Sequence, residues 1–208
     1  MPQEWEEGKL KKIVEVFTAV TIPVDISFEA RQQILNLDHV KEILSKARII
    51  SLMDCYCRKT MGNCDKPLEV CISLNEEALT LIENLGARQI SLEEALDILE
   101  MSHKAGLVHL AYYRKGEDFP IICSCCSCCC HHMSALKQFG YHAAVVKSDF
   151  IAAVDKSVCT DCGLCVERCQ FGAWTCENGV VFKSELCFGC GLCVSSCPTH
   201  AVSLVKRS

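Results

Sequence analysis

The chain has no apolar run long enough to cross a bilayer. Its longest stretches, such as HAAVVKSDFIAAV, are broken by Lys147 and Asp149 before the roughly 18 to 20 residues a spanning helix needs, so no membrane insertion is expected. It also lacks a sustained Lys/Arg run. With 21 basic and 26 acidic residues the formal charge is −5, which leaves no electrostatic footprint for nucleic acid. No Gly-rich phosphate cradle is present, since GARQIS and GLVHL have the wrong spacing, and no Ser/His/Asp constellation stands out. The opening MPQEWEEGKLKK is acidic and mixed in charge, with no signal-type apolar run behind it. A reducing cytoplasm is the expected compartment.

What the chain has instead is sulfur: 19 cysteines in 208 residues. Half the residues are apolar, so a core can form without crosslinks. An odd number of thiols in a reducing compartment reads as metal ligands or redox groups rather than a disulfide framework.

Periodicity outlines an α+β chain. Ile22-Pro23-Val24 reads as extended, and Asp38 is a candidate cap for HVKEILSKAR, whose Val40, Ile43, Leu44 and Ala47 recur at helical spacing. Asn75 is a candidate cap for EEALTLIENL, with Gly86 as its stop; Ser91 and Glu94 form a capping box before ALDILEMSHKA, with Gly106 as the next stop. LVHLAYYRKGEDFPIIC alternates and turns at 115–118, which predicts a β-hairpin. The N-terminal part, residues 1–149, is therefore expected to be a mostly helical, winged-helix-like cysteine-rich domain. Residues 150–208 form a second unit, with the boundary falling between Asp149 and Asp155.

That second unit contains a repeat. CTDCGLCVERC and CFGCGLCVSSC share their spacing and their CGLCV centre. In each, three cysteines recur every third residue and a fourth follows four residues later. A tight loop of this kind covers three corners of a cubane iron–sulfur cluster, and the fourth thiolate comes from the other repeat. Cys159, Cys162 and Cys165 are thus expected to share a cluster with Cys197, and Cys187, Cys190 and Cys193 with Cys169. Gly163 and Gly191 stand where the backbone must turn. Cys176 lies outside both motifs and reads as a small buried residue.

Ten cysteines remain. Cys55, Cys57, Cys64 and Cys71 suffice by number for a third cluster or one tetrahedral zinc, although Cys55 and Cys57 are too close for a normal zinc knuckle. Arg58 reads by default as a surface residue, with pairing to a negative cluster as the alternative. In ICSCCSCCCHH, Cys123, Cys125, Cys126, Cys128, Cys129 and Cys130 are candidate further ligands, alone or with the Cys55–Cys71 group. A thiol-exchange role is the alternative. His131 and His132 read as an exposed pair, with ligation as the alternative.

The last quarter of the chain resembles a bacterial-type two-[4Fe-4S] ferredoxin, with Gln170 where that family has proline after the fourth cysteine. From about residue 22 onward, IPVDISF, DCYCR, CDKPLEVC, ISLEEALDIL, ICSCCSCCC and the two CxxCxxCxxxC motifs together resemble an uncharacterised multi-cysteine dicluster family of anaerobic bacteria and archaea. The resemblance implies two [4Fe-4S] clusters without supplying a reaction; the complete ligand set for two cubanes makes electron transport with a redox partner protein the first expectation, a role that the acidic surface suits. At least one further cysteine-ligated cluster is expected. A reductase or sulfur-handling enzyme built on CSCCSCCC is the second reading, and a redox-sensing regulator the third.

Overall fold

Leu52, Ile72, Ile122 and Ala111 stand side by side on four neighbouring strands, each at most 2 % exposed, and this row marks the centre of the fold. The structure is a computed structural model, and it describes residues 2–22, 37–114 and 121–207. In chain order the elements are α1 (Glu7–Val16), β1 (Phe17–Ile22), α2 (Leu37–Lys46), β2 (Ile50–Asp54), α3 (Tyr56–Met61), β3 (Glu69–Leu74), α4 (Asn75–Leu85), β4 (Arg88–Ile90), α5 (Leu92–Lys104), β5 (Val108–Arg114), β6 (Ile121–Cys125) and α6 (His131–Phe139). Then come β7 (Val145–Val146), β8 (Phe150–Val154), α7 (Leu164–Arg168), β9 (Trp174–Cys176), β10 (Val180–Phe182), α8 (Leu192–Ser195) and β11 (Val202–Lys206).

The first seven strands make one sheet in the order β4-β2-β3-β6-β5-β1-β7, antiparallel except for the β1–β7 pair. In β5, Val108, Leu110 and Tyr112 are buried on one face and His109 and Ala111 on the other. Burial on both faces requires cover on both, and helices α4 and α5 supply part of it by packing on β2 and β3, with α5 reaching β5 and β6.

The expected hairpin exists as β5–β6, but it lies inside this sheet between β3 and β1. A wing is a free hairpin at the edge of a helical unit, so the winged-helix-like, mostly helical reading of the N-terminal part is not confirmed. Alternation marks β5 and β6, but β2, β3, β4 and β7 are not anticipated, so neither is the sheet that encloses the hairpin. The turn at 115–118, the Pro23-Val24 stretch and the side chain of Asp38 lie outside the described residues.

Helix boundaries follow the sequence in part. Ser91 Oγ accepts from the Glu94 amide at 3.1 Å, a cap worth about 1 kcal/mol, while the Glu94 carboxylate pairs with Arg88 at 2.6 Å. Gly86 and Gly106 close α4 and α5 with positive φ. Asn75 is not a cap: Leu74 holds that position, and Asn75, at φ 52°, accepts the Arg48 amide on its Oδ1 at 2.8 Å.

The C-terminal part is a ferredoxin-like pair of two-stranded sheets, β8–β11 and β9–β10, around two short helices. Its own core includes Ala152, Cys165, Trp174, Cys193 and Val202. Phe171 and Phe188 stack at 4.4 Å and pack against the main core, joining the two parts.

Candidate metal centres

In the two repeats, α7 and α8 each begin after a glycine at positive φ, Gly163 at 78° and Gly191 at 80°. This left-handed step turns the backbone between the second and third cysteines of each loop. Two steps earlier the same conformation recurs, at Asp161 (φ 52°) and Gly189 (φ 70°). At Gly189 a Cβ would lie 2.1 Å from the Phe150 carbonyl oxygen, so only glycine fits.

The loops lie around two cavities. One is lined by Cys159, Cys162, Cys165 and Cys197. The other is lined by Cys187, Cys190, Cys193 and Cys169. In both the fourth cysteine comes from the opposite repeat.

The donor set fits a [4Fe-4S] group. Cys169 Sγ accepts the Ala173 amide at 3.3 Å and Cys197 Sγ the Ala201 amide at 3.2 Å, which spreads negative charge from sulfur onto the backbone. Burial pushes the Cys165 thiol up to about 11 and Cys190 up to about 12, and holds Cys193 well above the usual range. Such thiols become thiolates when a cation offsets the lost hydration. At Cys197 burial also opposes ionisation, but hydrogen bonds from Thr199, Val202 and Ala201 outweigh it and lower the pKa. Cys176 departs from expectation: it is exposed at the end of β9.

The two cavities differ in their surroundings. Cys162 is exposed, beside exposed Val158 and Leu164, whereas Cys187 and Cys193 are buried, and Cys190 and Leu192 pack against the N-terminal core. One site thus faces outward and the other faces the sulfur-rich half.

That half does not gather Cys55, Cys57, Cys64 and Cys71 into one group. Cys64 instead joins Cys126, Cys128 and Cys129, all four Sγ atoms lying within 4.8 Å of one another. Cys71 stands opposite Cys123 across the β3–β6 pair, Sγ to Sγ 3.4 Å. The remaining thiols form a buried chain. Hydrogen bonds from Cys125 and Cys57 hold Cys130 well below the ordinary thiol range, and the same bond raises Cys57. Cys55 is lowered to about 6, chiefly by its hydrogen bond from Cys57. Tyr112 Oη closes over the chain, 3.7 Å from Cys125 Sγ and 3.6 Å from Cys130 Sγ.

Three residues are corrected. Arg58 is 1 % exposed rather than superficial: it donates to the carbonyls of Pro67 and Ser124 and lies 3.7 Å from Cys126 Sγ. His132 is fully buried, and His131, half-buried, places Nδ1 2.8 Å from Cys57 Sγ. Trp5 and Tyr112 pack against the His131 ring and Tyr112 meets His132 edge-on, long-range contacts that no local pattern shows.

Sequence reasoning missed two further bridges. His103 Nε2 meets Ser195 Oγ at 2.7 Å and His109 Nδ1 meets Ser124 Oγ at 3.0 Å, the two rings stacking at 6.2 Å. They connect α8 to β6. Gln170 reaches across as well, to Ser127 and Gly106. No local signal marks these residues, because their partners are distant in the chain.

The cysteine loops of the C-terminal part have the arrangement of a 4Fe-4S binding unit. Residues 152–175 and 180–203 each match the family model described as 4Fe-4S binding domain, so the chain carries two such repeats. No curated protein matches it. Among the described residues, no helix is long and apolar enough to cross a membrane.

Proposed function

We propose that this protein is an electron-transfer relay, in which residues 150–208 form a dicluster unit serving the cysteine-rich residues 1–149. The ligand sets are Cys159, Cys162, Cys165 and Cys197 for one cluster, and Cys187, Cys190, Cys193 and Cys169 for the other. Bound four-iron clusters take up and release single electrons at potentials set by nearby hydrogen bonds and exposure. The protein's residues decide where those electrons are exchanged. The exposed Cys162 face, with Val158 and Leu164, offers a redox partner protein short access. The Phe171–Phe188 seam offers the N-terminal thiols the same on the other side. A further cysteine-ligated centre on Cys55, Cys57, Cys125 and Cys130 is the receiving group, and the cytoplasm of an anaerobe is the setting.

The observation carrying this reading is an asymmetry in surroundings: Cys162 of one set is exposed, whereas Cys190 and Leu192 of the other pack against the N-terminal core. Anaerobic protein should contain about eight irons and eight sulfides from the two clusters, plus those of any further centre, and show paramagnetic signals of interacting clusters on reduction. Iron and sulfide well below that number would refute it.

The Cys57–His131 contact favours a second reading, a thiol-handling reductase, because it sets an imidazole 2.8 Å from a sulfur that its neighbours hold as the thiol. Reduction of a disulfide or sulfur substrate that survives His131→Gln would count against it.

A further inference from the structure

The four sulfurs of Cys64, Cys126, Cys128 and Cys129 are spaced for one metal ion. Cys64 Sγ lies 3.7 Å from Cys126 Sγ and 4.0 Å from Cys129 Sγ, and Cys128 and Cys129 are 3.8 Å apart. A tetrahedral ion with metal–sulfur bonds of about 2.3 Å requires sulfur–sulfur separations of about 3.8 Å, from the tetrahedral edge. A cubane spreads its thiolates wider, because each caps a different iron at a separate corner. The molecule contains its own comparison. Among the described residues, the cysteines around the two ferredoxin-type cavities do not form a group within 4.8 Å, whereas these four do.

The site is also braced. Cys126–Cys129 is a tight turn after β6, closed by the Cys129 and Cys130 amides donating to the Cys126 carbonyl at 3.3 and 3.0 Å. Asn63, next to Cys64, donates to the Cys128 carbonyl at 2.8 Å and so ties the two ligand segments together. Trp5 donates its indole N–H to the Cys129 carbonyl at 2.9 Å in a buried contact. Arg58 stands beside Cys126 and offsets part of the charge that four thiolates leave around a divalent ion. Cys126 and Cys129 are buried while Cys128 is exposed, which leaves the ion a way in. All four positions are filled by protein, the mark of a structural centre rather than a catalytic one.

We infer that Cys64, Cys126, Cys128 and Cys129 bind a single tetrathiolate ion of the zinc class, zinc or mononuclear iron, which pins the CSCCSCCC turn to the segment after α3. The centre is independent of the proposed electron route. Protein holding this ion but lacking cubane iron would refute the route and leave the site standing.

The test uses the full chain purified anaerobically with its metals. The expected result is about one zinc with four sulfurs at about 2.3 Å by X-ray absorption, or one high-spin mononuclear iron by its own paramagnetic signal, the two arms separating the metals. Cys64→Ser with Cys128→Ser should lose about one equivalent of that ion and keep the roughly eight irons of the paired clusters. Neither signal in intact protein would overturn the inference. So would a variant that keeps the ion, or one that loses about four irons with their sulfide. Should the double variant fail to fold, Cys128→Ser alone, at the exposed ligand, gives the same readout.

Discussion

The side-chain carbonyl of Gln170 accepts two hydrogen bonds from Ser127, one from its amide at 3.1 Å and one from its hydroxyl at 2.8 Å. Its Nε2 donates to the Gly106 carbonyl at 3.1 Å. Gln170 follows Cys169, and Ser127 sits between Cys126 and Cys128, so one side chain joins a ferredoxin-type ligand loop to the sulfur-rich turn. The replacement of the usual proline therefore has a structural consequence: a proline has no group to span this gap.

Gln170→Leu should leave the cluster iron in place and cost about 1 to 3 kcal/mol, because it removes three hydrogen bonds and strands part-buried partners. Chemical denaturation under anaerobic conditions would measure the loss. If the relay reading holds, electron exchange between the two parts slows in the same variant, as followed by rapid mixing with a reductant.

Arg58→Met should destabilise the protein by about 3 to 5 kcal/mol, since it removes a buried cation from among thiols and leaves the carbonyls of Pro67 and Ser124 without their donor. Arg58→Lys should restore little of this, because an ammonium group lacks the planar fork that reaches two carbonyls and a sulfur together. The denaturation midpoints of the two variants check both statements.

Gly163→Ala and Gly189→Ala separate backbone strain from collision. Both positions have positive φ, but a Cβ at Gly163 meets nothing within 4 Å, whereas at Gly189 it would strike Phe150 and Ser148. The first should cost about 1 to 2 kcal/mol from conformation alone. The second should cost more and lower the iron content of the inner site, read by iron analysis of the purified variants.

Acid should weaken the fold through two histidines. Burial lowers His103 to about 4 and His109 to about 3, so both are neutral when folded. Above about pH 6.5 neither state binds the proton and there is no effect. As pH falls below 6.5 the unfolded chain takes up protons that the native one refuses, and stability declines until pH reaches the folded values. Each contributes a loss of about 2 kcal/mol by pH 5. His109→Gln should flatten the slope of unfolding free energy between pH 6.5 and 5 relative to the parent.

Air should remove the two ferredoxin-type clusters unequally. Cys162 is exposed, whereas no cysteine around the inner cavity is, so the outward loop offers oxidants a bare thiol that the inner one lacks. Timed iron and sulfide analysis in air should show about half of this iron leaving first. A single uniform decay would contradict the asymmetry.

Local patterns carried much of this. The ligand loops were legible because their chemistry lies within eleven residues of chain, Cys159 to Cys169 and Cys187 to Cys197, and a helix cap such as Ser91 acts over one turn. Asn75 shows the limit even at short range, since the residue type suits a cap but the amide of Arg48, in the link between α2 and β2, claims its oxygen.

The sequence by itself determined the spacing of the C-terminal thiols in two loops of the 4Fe-4S binding type, because that information resides in intervals along the backbone. Which of the other ten cysteines meet was decided by tertiary structure. Strand pairing sets Cys71 opposite Cys123 and carries the turn after β6 to Cys64, more than sixty residues away in sequence. Such meetings depend on register and on helices closing over a two-sided sheet, and neither quantity is written in any short stretch of residues.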